Sequence, residues 1–257
     1  MFEFDTELIR SLDRRTYWEP TKVVCDRVIS ELTEQSDIWE AHHDVMNHLY
    51  QIMWDSSEGV GRLQKVKIRA GELEDAGQSN VSVAGHNFQA LVAYCLERNR
   101  IIGNIPYDIV IALRPLKHPM IRDYATIHVG GGESQRPDVD ILIYTEDEDT
   151  PLLICSCKTS LRERAGQTYR WKLLLDMARC NCEHEPDCPM SRYNLHYESD
   201  KDILVALITA DFYDEREGAQ QRGMFTFFDY VYISKQIEEF ANVQRLSNIL
   251  AVLNEIF

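Results

Sequence analysis

The alternation of apolar and polar positions changes character along the chain. Through residues 1 to about 54, apolar side chains recur at helical spacing, first as Val23, Val24, Val28, Ile29 and Leu32, then as Trp39, Val45, Leu49, Ile52 and Met53. Ser36 or Asp37 would cap the second of these helices. Residues 55 to 84 are richer in Gly and polar groups and predict loops, with Lys65, Lys67 and Arg69 alternating with Val66 and Ile68 as in a short strand. From Gly85 the run H-N-F-Q-A-L-V-A-Y-C-L-E-R predicts a helix that stops near Asn99 or Asn104, ahead of Pro106.

Beyond residue 106 the period shortens to that of strands. Tyr107 to Leu113 predicts one strand, and Arg114 to Gly132, with two prolines and three successive glycines, predicts a long irregular connection. Two apolar runs then flank an acidic turn: R-P-D-V-D-I-L-I-Y (Arg136 to Tyr144) and L-L-I-C-S-C-K (Leu152 to Lys158). They predict two adjacent strands, with Asp138 opening the first and Lys158 closing the second. A helix is expected from about Leu161 to Arg179, then a cysteine-rich loop to about Asp200, and strands at Ile203 to Thr209 and Met224 to Ile233. Helices at Lys235 to Phe240 and Val243 to Ile256 would end the chain. This order describes an α/β fold, a mixed sheet flanked by helices, with an N-terminal helical region over residues 1–80 and a core over residues 81–257.

Composition narrows the class. The chain has 257 residues, 44% hydrophobic and 27% charged, as in an ordinary water-soluble protein. No apolar run approaches the roughly 20 residues that span a bilayer, and the acidic N-terminus is unlike a secretory signal, so a cytoplasmic location with no membrane association is expected. Seven cysteines fit reduced thiols better than a disulfide framework. The net charge of −15 argues at first against a polyanionic partner. The acid is concentrated, however, at Glu146 to Asp149 and Asp211 to Glu217, whereas Lys158, Arg162, Arg164, Arg170, Lys172 and Arg179 face only Glu163 and Asp176 over the intervening stretch. A basic face on an acidic body can still hold DNA.

The hairpin carries the chemistry. Folding it back places Asp138 beside Lys158 at one end of a sheet. Phosphodiester hydrolysis requires a cation on the scissile phosphate, a group that manages the attacking water, and positive charge near the transition state. Asp138 suits Mg²⁺, a hard cation that prefers oxygen, and the backbone carbonyl of Cys157 would supply a second oxygen. Asp140, two residues on, faces the same side and is either another metal ligand or a polar residue at the strand start. A Pro-Asp pair by itself usually marks a turn before a strand. Its pairing with S-C-K about 20 residues later, and the cost of a lysine emerging unpartnered from L-L-I-C-S-C, favour a catalytic role.

These residues resemble the PD-(D/E)xK nuclease superfamily, and more narrowly its type II restriction endonucleases. The motif P-D-V-D-I-L-I-Y … C-S-C-K matches, except that Ser156 occupies the position usually held by Asp or Glu. A subgroup that reads sites containing CC:GG also has serine there and recovers a carboxylate from a neighbouring helix. Here G-H-N-F-Q (Gly85 to Gln89) resembles that subgroup's G-H-x-F-E, with Gln89 in the place of the glutamate, leaving Asp140 or Glu163 as substitutes. The resemblance covers about residues 83 to 179 and implies Mg²⁺-dependent, sequence-specific cleavage of double-stranded DNA, with Asp138, Lys158, Ser156 and Gln89 at the catalytic positions.

Immediately after the lysine comes T-S-L-R-E-R. Arginine contacts the O6 and N7 of guanine in a bidentate fashion and glutamate accepts from the N4 of cytosine. Arg162 and Arg164 would therefore read guanines and Glu163 cytosines, in the manner of the subgroup's K-x-x-x-R-(D/E)-R. Taken alone such a triplet is usually a solvated first helical turn; its place after the lysine favours reading. A symmetric site read by one triplet per half implies a homodimer, in which the N-terminal helices would dimerise or clamp DNA. Lys65, Lys67 and Arg69 are either a solvated basic face or a contact to the DNA backbone.

Cys180, Cys182, His184 and Cys188 form a Cys₃His set that suits a structural zinc ion, with His196 able to replace one ligand, or are simply reduced thiols in a loop. His42, His43 and His48 are expected at the surface or in the core, and the aromatic run Phe225 to Tyr232 in the sheet core. Two other readings stand beside the restriction enzyme: a nuclease on the same core that acts on DNA structure or damage, and a non-catalytic, zinc-containing DNA-binding module.

Overall fold

The computed structural model describes residues 2–73, 76–115, 117–130, 132–161, 165–179, 195–197, 199 and 201–257. Its N-terminal region holds α1 (Glu7–Asp13), α2 (Glu19–Thr33), α3 (Ile38–Asp44), α4 (Leu49–Arg69) and α5 (Ala76–Ile102). Thr6 caps α1, and Asp37 caps α3 by accepting from the Glu40 amide at 2.8 Å. Residues 55–84, expected to contain loops, are helical up to Arg69 and again from Ala76 with a short break at 70–73, and the alternation at Lys65 to Arg69 is helix and not strand. Those basic residues form the last turns of α4, where Val66 is exposed and Lys67 pairs with Glu72 at 3.4 Å. The alternation is only five residues long, and the helical frame established at Leu49 continues through it. Likewise α5 begins at Ala76 and runs through Gly85. From Phe88 to Leu96 it is buried on all sides, as befits a helix enclosed between a sheet and other helices.

Among the described residues six strands form the main sheet, in the order β1 (Val110–Leu113), β4 (Ile141–Tyr144), β5 (Leu152–Lys158), β6 (Ile203–Thr209), β7 (Tyr230–Ile233) and β8 (Val243–Arg245). The first three pair antiparallel and the last four parallel. The connection between β1 and β4 is less irregular than expected, since it contains α6 (Pro119–Tyr124) and a small hairpin of β2 (Ile127–Val129) with β3 (Glu133–Gln135). β5 is buried along its whole length because both faces are covered. Leu153, Cys155 and Cys157 join the core with α5, whereas Leu152 and Ile154 join the core containing Trp171 and Leu175 of α7 (Ala165–Ala178).

The C-terminal expectations need correction. Met224 and Phe225 end a helix (Ala219–Phe225), and only Tyr230–Ile233 is strand. Phe225 and Phe228, three apart, both reach the core from successive turns. Lys235 to Phe240 is not helical; Val243 to Arg245 pairs with β7, and the last helix begins at Ile249. A β-branched valine opposite Val231 is better placed in a parallel ladder than in a helix.

Candidate active site

The hairpin forms as expected, with Ile141 opposite Cys155 and Ile143 opposite Leu153. Asp138 lies in the segment leading to β4, three residues ahead of its first residue, instead of opening the strand. The last backbone bond of the hairpin runs from the Asp140 amide to the Cys155 carbonyl at 3.1 Å. One step further the Cys157 amide finds the Asp140 side chain in place of a carbonyl, donating to Oδ2 at 2.7 Å. This fixes the carboxylate at the end of the sheet. Lys158 Nζ lies 3.0 Å from Asp140 Oδ2 and 3.3 Å from Asp138 Oδ2. Gln89, carried by α5, donates from Nε2 to Asp140 Oδ1 at 2.6 Å.

Burial grades these groups. The side chains of Lys158 and Asp140 are 8% and 9% exposed and that of Asp138 is 46% exposed, so the cluster is dry inside and open to an incoming molecule on the Asp138 side. Burial alone would lower the lysine pKa, but Asp140 and Asp138 outweigh it and hold the ammonium above its ordinary value. Burial pushes Asp140 up, against the pull of Lys158 and the Cys157 amide. Lys158 is thus a lasting positive charge in this arrangement and not a ready base.

Two carboxylates share one ammonium. The Gln89 Oε1 oxygen beside them is buried with no hydrogen-bond partner. The strand supplies a further oxygen: carbonyls alternate along it, and that of Lys158 accepts from Ala210 past the end of β6, so the Cys157 carbonyl faces the Asp140 side. Among the described residues no three His, Cys, Asp or Glu side chains gather as a metal cage. The surplus negative charge, the unpartnered amide oxygen and the backbone carbonyl nevertheless fit a hard, oxygen-seeking divalent cation.

Ser156 is not drawn into the cluster. Its buried hydroxyl bonds Thr168 of α7 at 2.8 Å, tying β5 to that helix. Thr168 could not have been foreseen from spacing. Cys155 and Cys157 are buried, and burial raises both thiols well above their ordinary range. Cys25 and Cys95 are likewise buried free thiols, their sulfurs 3.7 Å apart. His42 is a core histidine that burial pushes down to about 4. The triplet Arg162, Glu163 and Arg164 and the candidate zinc ligands Cys180, Cys182, His184 and Cys188 lie outside the described residues.

A match over residues 115–252 identifies the remaining context: this stretch fits the family described as BsaWI restriction endonuclease type 2. The chain belongs to that family of type II restriction endonucleases. The match takes in the hairpin, the triplet and the strands from β6 onward, beyond the stretch on which the sequence resemblance rested. Among solved structures the chain is similar to the restriction endonuclease PspGI–substrate DNA complex, with a TM-score of 0.51 and 13% identity over 100% of this chain and 97% of that one, a likeness of fold. No curated protein matches the chain. No helix among the described residues is long and apolar enough to cross a membrane.

Proposed function

We propose that this restriction endonuclease hydrolyses both strands of double-stranded DNA, with Mg²⁺, at a short site containing CC:GG, and that it does so as a homodimer. The observation that carries the chemistry is the convergence of Asp138 and Asp140 on Lys158 at the end of β5, with Gln89 donating to Asp140. Asp138, Asp140 and the Cys157 carbonyl would hold the cation, with Gln89 Oε1 beside them. When bound, the ion supplies Lewis acidity toward the phosphate and toward water. Lys158, kept charged, offsets the negative charge that develops on the phosphate. Gln89 fixes the rotamer of Asp140, and the half-exposed Asp138 is the carboxylate an incoming phosphate meets first.

The CC:GG assignment rests on Arg162, Glu163 and Arg164, which follow the lysine closely enough to be delivered to the groove beside the cut. The similar PspGI structure is of a complex with substrate DNA, which supports a double-stranded partner for this chain. One triplet per half-site favours two-fold symmetry, with residues 1–80 as the dimerising or clamping region. The test is digestion of phage DNA. With Mg²⁺ it yields discrete fragments whose ends share a CC:GG-containing sequence, and chelation with EDTA stops the reaction. A smear, or fragments that ignore CC:GG, would sink the assignment.

A further inference from the structure

On the other flank of β5 lies a second constellation of charged groups, which the cleavage chemistry does not use. The chain leaving Lys158 is tied down at consecutive points by the turn that follows β6. The Ala210 amide donates to the Lys158 carbonyl and the Phe212 amide to the Thr159 carbonyl, both at 3.0 Å. The Leu161 amide then donates to the carboxylate of Glu215 at 2.9 Å. Leu161 itself is 2% exposed and anchored in the core. It immediately precedes Arg162.

The turn that delivers Glu215 is expensive to form. Asp211 and Asp214, with φ of 47° and 51°, are both in the left-handed region, which side-chain-bearing residues avoid and which Asp tolerates best. Asp211 is fully buried, yet each of its groups is satisfied. Its amide donates to Thr209 Oγ1 at 3.0 Å, its Oδ1 accepts from the Glu215 amide at 2.8 Å, and its Oδ2 pairs with Arg216 at 2.9 Å. Lys235 donates to the Asp211 carbonyl, pairs with Asp214 at 3.0 Å and sits 4.0 Å over the ring of Tyr50. Backbone strain held in place by an ion network around a buried acid is found where a position must be kept, and here that position is the Glu215 carboxylate against the segment after the lysine.

We infer that this turn is a positioning bracket: Glu215, its amide held by Asp211, which Arg216 pairs in turn, fixes the backbone at Leu161 and so sets the register of Arg162, Glu163 and Arg164 on DNA relative to the cleavage groups. The inference rests on the base-reading role proposed for that triplet. Glu215 is a positioning residue. It governs which sequences are cut more than how fast the cognate site is cut.

The experiment compares wild type, Glu215→Ala, Glu215→Gln and the exposed-neighbour control Glu217→Ala. Each is assayed with Mg²⁺ on oligonucleotide duplexes carrying the cognate site or a single-pair change within it. Glu215→Ala should lose roughly tenfold or more in the ratio of cognate to altered-site kcat/KM, while kcat on the cognate site stays within about threefold. Glu215→Gln, which keeps an acceptor oxygen for the Leu161 amide, should restore the ratio, and Glu217→Ala should leave it unchanged. Amide hydrogen exchange at Leu161 should accelerate in Glu215→Ala alone. An unchanged ratio, a uniform fall in kcat on every sequence, failure of Glu215→Gln to restore, or an unfolded Glu215→Ala would each overturn the bracket. If Arg162→Ala and Arg164→Ala leave sequence preference intact, the base-reading role has failed instead, and the bracket loses its object.

Discussion

Asp140 and Asp211 stand on opposite flanks of the last residues of β5, and both are buried acids, yet their surroundings differ in kind. Asp211 is closed: its carboxylate has an arginine and a backbone amide, and its carbonyl has a lysine. Asp140 is shared: its carboxylate accepts from the Gln89 side chain and the Cys157 amide, but it must divide its lysine with the half-exposed Asp138. An acid with an arginine of its own makes a rigid joint, whereas two carboxylates leaning on one ammonium leave negative charge for a cation. The same residue type thus serves positioning on one flank and chemistry on the other, and the accounting of partners tells them apart.

The largest expected effect comes from removing Lys158, which pairs with both Asp138 and Asp140. Lys158→Met should reduce cleavage by about 10³-fold or more, from loss of charge stabilisation at the phosphate. It should also destabilise the fold at pH 7 by about 3–5 kcal/mol, because Asp140 is left buried without a counter-charge. Without Lys158 the Asp140 pKa rises further above its unfolded value. The penalty is therefore full above that folded pKa and fades as pH falls through it. Urea unfolding across pH measures this, and equal stability of variant and wild type at pH 7 would mean that the Asp140 flank is wetter than its burial indicates.

A smaller and sharper test is the pH profile of the wild-type enzyme. Because burial raises Asp140, and cation binding needs the carboxylate, cleavage at sub-saturating Mg²⁺, where the metal-free site must first lose its proton, should fall on the acid side with a midpoint above the ordinary aspartate value of about 3.9. Lys158, raised by its two carboxylates, should contribute no loss of charge up to its ordinary value of about 10.4. A midpoint at or below the ordinary aspartate value would contradict this view of Asp140. Smallest of all should be Ser156→Ala. It is expected to change cleavage by less than about threefold and to cost about 1 kcal/mol of stability, since it only deprives the Thr168 hydroxyl of its partner. A hundredfold loss of cleavage would move Ser156 into the chemistry.

What could be seen in the sequence follows from the range of the interactions. The hairpin was legible because two apolar runs and an acidic turn lie next to each other, so the meeting of Asp138 and Lys158 follows from local pairing. Strand β6 was legible because a strand covered on both sides is a continuous apolar run. The approach of Gln89 to Asp140, across 51 residues, came from likeness to a known motif and not from spacing. The tie between Leu161 and Glu215 spans 54 residues and left no trace: in the sequence, Asp211 to Glu217 is merely an acidic cluster, and nothing local announces that one of its members is fully buried. The errors have the same origin. Lys65 to Arg69 alternate like a strand, but the helix already running from Leu49 decides their state. Val243 to Arg245 have helical neighbours, but a vacant sheet edge beside β7 captures them.

The sulfur atoms of β5 carry one more consequence. Nucleophilic attack by cysteine requires the thiolate, and burial keeps Cys155 and Cys157 protonated and out of solvent. Two of the softest, most oxidisable atoms in the protein therefore sit within a few bonds of the cutting groups without being exposed to peroxide or alkylating reagents. The strand that bears the lysine is chemically quiet on its sulfur side while the folded state lasts.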